Sequence, residues 1–165
     1  MTLLETFCII NRVALAEPNV NTTVNTGNIF DLNTDNTQVK YGAFCIQQQE
    51  HIQEGDYIRY NFNLFYVDRL LENRKNKLEV QSTGISTLQN IINGLKDIDL
   101  IDVDTTISYQ TFTERFAAEC AGAYCSMSII SQTPLCYEDY LDRINYLYGD
   151  FNFDFSADFF VKKLI

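Results

Sequence analysis

The sequence predicts an α+β fold, a two-layer sandwich in which a small antiparallel sheet carries helices on one face. Two segments repeat apolar residues at helical spacing, and four segments have the composition of strands. Their order, helix-strand-strand-helix-strand-strand, joins neighbouring strands as hairpins. With 165 residues and 46% apolar content, the chain is long enough to bury one such core.

The first helix is predicted to start at Thr2, which forms a capping-box pattern with Glu5. Apolar residues then recur at helical spacing up to Pro18: Leu3, Leu4, Phe7, Ile10, Ala14 and Leu15. Residues 19–36 are rich in Asn and Thr, whose side chains compete with regular structure for backbone hydrogen bonds. This composition predicts a long loop.

The first hairpin is predicted from a strand over 41–47, a turn over 47–55 and a strand over 57–68. In the second strand one face is apolar: Ile58, Tyr60, Phe62, Leu64 and Tyr66. The other face carries Arg59, Asn61 and Asn63. Residues 72–77 form a charged turn before the next helix.

The second helix is predicted to begin at Ser82 or Thr83 as its N-cap and to end near Gly94. Its apolar face is expected to consist of Ile85, Leu88, Ile91, Ile92 and Leu95. An acidic connector over 97–106 leads to a strand pair over 107–114 and 120–130. In the last strand Ala123, Cys125, Met127 and Ile129 face one way, and Tyr124, Ser126 and Ser128 the other.

We expect residues 1–131 to form the core and residues 132–165 to add a C-terminal helix and an aromatic-rich arm. An amphipathic helical pattern runs up to Gly149, and residues 151–155 then alternate Phe with polar residues. Residues 137–160 hold nine of the 22 aromatic residues, a density typical of surfaces buried between proteins. The candidate interface residues are Tyr137, Tyr140, Tyr148, Phe151, Phe153, Phe155, Phe159 and Phe160. The segment either covers its own sheet or reaches a neighbour's sheet edge.

No pattern of catalytic or metal-binding residues stands out, and we expect neither an enzyme nor a cofactor. The single histidine, His51, lies in a polar stretch that predicts an exposed turn rather than a catalytic base. The five cysteines lack a CxxC motif and are expected to be reduced, buried thiols: Cys8, Cys45, Cys120, Cys125 and Cys136. Asp31, Asn33 and Asp35 match the start of a calcium-binding loop, but the later positions of that loop do not match.

The charge of the chain is strongly negative, −10 in total, and residues 97–165 carry 12 acidic against four basic residues. Sequence-independent binding of nucleic acid is therefore disfavoured, because gripping phosphate needs positive charge. No segment has the ~18–20 apolar residues that span a bilayer, and no basic region precedes the first apolar stretch as it would in a secretory signal. We expect no membrane association.

The order helix, long loop, hairpin, helix, hairpin resembles the small ring-forming proteins at the head–tail junction of tailed bacteriophages, of the neck or tail-terminator type. The likeness covers about three-quarters of the chain. It lies in the segments Leu3–Leu15, Tyr57–Val67, Ser82–Leu95, Thr106–Glu114 and Gly122–Ile129. The Asn-, Tyr- and Ile-rich composition is similar to that of proteins from crAss-like short-tailed phages.

The resemblance implies a non-enzymatic virion component, made in the host cytoplasm. Copies would form a homo-oligomeric ring around the DNA channel, in contact with the portal or other neck and tail proteins. Candidate channel-facing acids are Asp97, Asp99, Asp102 and Asp104, which would repel a passing duplex. Two alternatives stay open: a small acidic intracellular binding protein or DNA-mimic inhibitor, and a carboxylate-based hydrolase.

Overall fold

The computed structural model describes residues 1–26, 40–99, 101–104, 106–113 and 120–132. All of them belong to one compact unit, Met1–Thr133. The fold is α+β, as predicted: two helices pack on a sheet in two layers. The candidate interface residues between 137 and 160 and the calcium-like stretch at 31–35 lie outside the described residues, and the boundary between core and arm stays a prediction.

Helix α1 spans Leu3–Ala16 and begins with the predicted capping box. The Glu5 amide donates to Thr2 Oγ1 over 3.3 Å, and the Glu5 carboxylate accepts from the Thr2 amide over 2.6 Å. The predicted apolar face is wrong in part, because Leu4 and Leu15 are exposed. Two polar residues of the first turn, Glu5 and Thr6, are buried instead. The hydrogen bonds of the cap satisfy the Glu5 carboxylate, and Thr6 Oγ1 donates to the Thr2 carbonyl.

Helix α2 spans Lys77–Lys96, so the predicted start at Ser82 or Thr83 is wrong. Asn76 is the N-cap of the helix, and the buried stripe starts with Val80. The stripe, spaced for one helix face, comprises Val80, Gly84, Thr87, Leu88, Ile91, Ile92 and Leu95. Val80 packs with Leu70 and Ala121, and this burial extends the helix beyond the local capping signal. Neither helix is both long enough and apolar enough to cross a lipid bilayer.

Within the described residues the sheet has seven strands. They are β1 Thr22–Thr26, β2 Ala43–Gln48, β3 Ile52–Glu54, β4 Tyr57–Arg69, β5 Asp102–Val103, β6 Tyr109–Thr113 and β7 Cys120–Gln132. The order is β1-β2-β4-β7-β5, with β3 on β4 and β6 on β7. Strands β4 and β7 pair antiparallel along all 13 residues and form the centre of the sheet.

The sheet is mixed rather than purely antiparallel, because β1 runs parallel to β2. Strand β1 lies inside the predicted long loop, β3 inside the predicted turn and β5 inside the predicted connector. The partner of β1 is β2, about 20 residues further along the chain. Just before β1, Asn21 donates a hydrogen bond from its backbone N–H to the Gly42 carbonyl and another from its side-chain Nδ2 to the Tyr41 carbonyl. Such tertiary pairing overrides a loop-like local composition.

Both helices pack on the same face of the sheet. Phe7 of α1 meets Phe62 of β4 edge-on, with ring centroids 5.3 Å apart, and Gly84 of α2 approaches Tyr66 and Ala123. The apolar faces predicted for β4 and β7 lie here. The buried side chains of this helix-covered face are Phe44, Ile46, Tyr60, Phe62, Leu64, Tyr66, Ala123, Cys125, Met127 and Ile129.

Candidate functional site

The face of the sheet opposite α1 and α2, called the far face below, differs in character along its length. One end is a buried apolar cluster made of Ala43, Cys45, Phe65, Val67, Phe112 and Cys120. Tyr124 stacks on Phe65 with ring centroids 5.4 Å apart and marks the border of this cluster. Beyond Tyr124 the far face becomes polar.

The middle of the far face is a hydrogen-bonded set of amides and hydroxyls across β2, β4 and β7, called the amide–hydroxyl ladder. It consists of Gln47, Asn61, Asn63, Ser126 and Ser128. Ser126 and Ser128 each donate over 2.7 Å to the side-chain oxygen of the opposite asparagine, Asn63 and Asn61. The Asn63 amide nitrogen in turn donates to Gln47 Oε1 over 3.4 Å. The ladder is therefore a preorganised polar surface.

The ladder has the chemistry of a binding or packing surface. The hydroxyls of Ser126 and Ser128 donate to amide oxygens, which are not proton acceptors of the kind that activates a nucleophile. The amide of Asn61 also holds the main chain, because its Nδ2 donates to the Glu50 carbonyl over 2.6 Å. Cross-strand polar pairs of this type fix the register of a sheet.

The other end of the far face holds a shallow cavity of about 250 Å³ lined by Glu54, Tyr57, Arg59 and Ile130. Arg59 forms an ion pair with Asp104, with 3.5 Å between Nη1 and Oδ1. Both side chains are about one-third exposed, so the pair contributes little to stability. It does neutralise Asp104 at the rim of the cavity.

The four candidate channel-facing acids occupy two places. Asp97 is the C-cap of α2, and Asp99 follows it; both are exposed. Asp102 lies in β5 opposite Ile130, and Asp104 pairs with Arg59, so these two belong to the far face. Asp102 is exposed, whereas Asp104 is only partly exposed. The repulsive charge available to a passing duplex therefore comes from Asp97, Asp99 and Asp102.

His51 is not the exposed turn residue that the sequence predicts. Its ring packs edge-on against Tyr60, with centroids 5.4 Å apart, and lies 5.8 Å from the ring of Phe62. His51 Nδ1 accepts a hydrogen bond from the backbone N–H of Asn61 over 3.3 Å, whereas Nε2 is buried without a hydrogen-bond partner among the described residues. His51 thus joins the chain after β2 to the start of the long strand β4.

We expect this position to make the protein less stable in mild acid. Burial lowers the pKa of His51 below its ordinary value of 6.5, and Nδ1 can accept from Asn61 only while it is unprotonated. Between the lowered pKa and 6.5 the unfolded chain binds more protons, so the free energy of unfolding rises with pH in this window. The contribution of neutral His51 to the free energy of unfolding is complete above pH 6.5 and is lost as the pH falls through the folded-state pKa of His51.

The measurement is urea unfolding of the wild type and of His51→Asn at a series of pH values from 5 to 8. Asparagine keeps an acceptor near the position of Nδ1 but does not titrate in this range. The wild type should lose stability towards pH 5 relative to the variant. Parallel stability curves for the two proteins would contradict the assignment to His51.

The described cysteines are reduced thiols: Cys8, Cys45, Cys120 and Cys125. Burial raises the pKa of Cys45 to about 12, with a smaller contribution from Cys120, and burial alone raises that of Cys125 to about 12. Their thiolate forms are scarce at neutral pH, so these two side chains are poor nucleophiles and act as packing residues. Cys136 lies outside the described residues. In the described part of the chain no group of three or more His, Cys, Asp or Glu side chains is placed to hold a metal ion.

No protein-family model matches the chain, and a search of curated proteins gave no match. The sequence had placed Asn61 and Asn63 on one polar face and Ser126 and Ser128 on another. It did not show that these faces align. The alternation of polar residues was the available signal, and only the register of β4 against β7 turns it into a ladder.

Proposed function

We propose that this chain is a structural subunit of a tailed bacteriophage, forming a homo-oligomeric ring at the head–tail junction around the DNA channel. Three findings support the proposal. The chain keeps the helix, antiparallel pair, helix, antiparallel pair order on which the resemblance rests, with β2–β4 and β6–β7 as the pairs. The far face carries a ladder suited to binding or packing, and the chain is strongly acidic. The function is one of assembly, with contacts to the portal or to other neck and tail proteins.

The observation that carries the proposal is the asymmetry of the sheet. Among the described strands, β1 and β3 form one edge and β5 with β6 form the other. Two copies that meet through different edges or neighbouring surfaces make a heterologous contact. When such a contact is repeated, the copies form a closed ring if a whole number of the rotations between neighbouring copies makes one full turn.

The negative charge fits a protein that surrounds DNA without gripping it. Asp97, Asp99 and Asp102 are exposed, and they follow one another along the segment that leads from α2 into the sheet. If this segment lines the channel, the summed field of many copies repels the phosphates of the duplex. The DNA then slides without sequence-specific contacts.

The first test is the size of the purified full-length protein, by light scattering and electron microscopy at its highest soluble concentration. We expect closed rings with one copy number. A monomer that displaces duplex DNA from a basic DNA-binding protein would contradict the proposal and favour an acidic DNA mimic.

The channel position is tested by the triple variant Asp97→Lys, Asp99→Lys and Asp102→Lys in the ring. The control carries the same charge change at other exposed acids: Glu50→Lys, Glu54→Lys and Asp56→Lys. Charges inside a closed channel reinforce one another, so the first variant should bind a short duplex at least about tenfold more tightly than the control at low salt. Equal binding by the two variants would exclude a channel position for these acids.

A further inference from the structure

The segment from the last residue of β4 to the first turn of α2, residues 69–78, has a composition unlike the rest of the chain and is called the basic turn below. It carries four basic residues and one acidic residue in a chain of net charge −10. It also carries Leu71 and Leu78, whose exposed fractions of 62% and 79% are the largest among the large apolar side chains of the described residues. A surface that combines positive charge with exposed leucines is suited to an acidic, apolar partner.

The backbone of the basic turn is held by its own contacts. Asn76 accepts from the Leu71 amide through Oδ1 over 2.8 Å and donates through Nδ2 to the Arg69 carbonyl over 3.1 Å. The Arg74 amide donates to the Leu71 carbonyl over 2.8 Å. Beneath the turn, Leu70 is buried with Val80 and Ala121. A partner would therefore meet a surface that is already ordered, which reduces the entropy lost on binding.

Asn73 and Arg74 reinforce this picture through their backbone conformation. Both have positive φ, 61° and 56°, in the left-handed region that costs non-glycine residues free energy. The fold keeps this conformation at two successive positions although a glycine at either would relieve it. Asparagine adopts this region more readily than most residues, so the larger part of this cost falls on Arg74.

The sequence of this chain contains a segment with the complementary chemistry. Residues 150–160 carry three Asp and five Phe and no basic residue. The five Phe offer apolar surface for two exposed leucines, and the three Asp match the basic side chains of the turn. Five of the aromatic residues that the sequence marks as an interface belong to this segment: Phe151, Phe153, Phe155, Phe159 and Phe160.

We propose that residues 150–160 of one copy dock on the basic turn of a second copy. The inference rests on the proposed ring function and specifies one of its subunit contacts. The two surfaces differ, so the contact is heterologous and can repeat around a ring. The proposed contact uses the phenylalanines of residues 150–160 to cover Leu71 and Leu78, and its Asp residues, Asp154 and Asp158 among them, to pair with basic side chains such as Lys75 and Lys77.

The test is photo-cross-linking in the full-length protein. One preparation carries a photo-reactive benzophenone amino acid in place of Phe155, and a second, isotopically heavy preparation is wild type. We expect cross-links that join position 155 of the benzophenone-labelled (light) chain to the peptide containing residues 69–78 of the heavy chain. Cross-links confined to one chain, or mapped to another surface, would overturn the proposal.

Variants of the heavy preparation test the chemistry of the contact. Leu71→Ser with Leu78→Ser should lower the cross-linking yield at least about tenfold, the loss expected from one buried leucine. The control is Leu4→Ser with Leu15→Ser, two leucines of α1 that are 51% and 55% exposed. An equal effect of the two pairs would count against the basic turn as the docking surface.

Charge reversal gives an independent readout. Lys75→Glu with Lys77→Glu in the heavy chain should weaken the cross-link, and Asp154→Lys with Asp158→Lys in the light chain should restore it. Failure of restoration would exclude the proposed charge pairing. If the wild-type protein forms rings but no cross-link to the basic turn is found, the proposed contact is wrong and the ring function stands. If the protein is a monomer that acts as a DNA mimic, both proposals are wrong.

Discussion

Gly122→Ala is expected to destabilise the protein by about 3 kcal/mol or more, a large fraction of the ~5–15 kcal/mol that stabilises a typical domain. Gly122 lies in β7 between Val67 of β4 and Phe112 of β6. A Cβ at this position would overlap the backbone oxygen of Tyr66 and would come within 2.9 Å of Phe112 Cζ. Because the overlap involves main chain, β4 and β7 must separate locally, and no side-chain movement relieves it.

The matched control for this prediction is Gly55→Ala. Gly55 has φ of +60° in the turn before β4, and no atom lies within 4 Å of the point that an alanine Cβ would occupy. Its cost comes from the backbone alone and should be about 1 kcal/mol. Urea unfolding followed by circular dichroism compares the two variants. Equal losses of stability would show that β4 and β7 do not approach each other as closely at Gly122.

Phe62→Ala is expected to cost about 3–5 kcal/mol, the usual range for a fully buried Phe. Phe62 is 1% exposed at the middle of β4. It connects three parts of the protein, since its ring packs against Phe7 of α1 and His51 of the segment after β2. Truncation therefore leaves a cavity where the two layers meet.

A double-mutant cycle with Phe7→Ala isolates the contact between the layers. The two rings meet edge-on, and such pairs contribute about 0.5–1.5 kcal/mol beyond the area that they bury. We expect a coupling free energy in that range from urea unfolding of the wild type, both single variants and the double variant. Strictly additive losses would contradict a direct contact between α1 and β4 at these residues.

The parts of the fold that the sequence predicts are those in which local pattern and tertiary burial agree. Strand β4 alternates between apolar and polar residues from Ile58 to Leu64, and the apolar side predicted for β7 lies on the helix-covered face. Helix α1 starts with a capping box that is complete within its first turn. For these elements the information lies within a few residues of chain.

The parts that the sequence misses depend on distant residues. Strand β1 is Thr-rich and resembles a loop until β2 supplies its partner. The start of α2 is set by the burial of Val80 against Leu70 and Ala121, which the capping residues do not reveal. His51 looks solvated by its neighbours in sequence, yet it is covered by rings from β4.

For the candidate site, the sequence predicts which residues share a face but not which residues pair across strands. Polar positions such as Asn61 and Ser128 could be assigned to a face by alternation, but their pairing needs the register of two strands far apart in sequence. The division of the acidic residues between the end of α2 and the far face also required the structure, because Asp104 is paired with Arg59 from another strand.

The full-length pairing of β4 with β7 has a consequence for how the chain is made. Its contacts span from 51 residues, Arg69 with Cys120, to 75 residues, Tyr57 with Gln132. Such non-local pairing closes slowly, and it cannot be completed until residue 132 has left the ribosome. Until then one long edge of β4 lacks its partner, so the nascent chain is exposed to aggregation while residues 70–132 are synthesised.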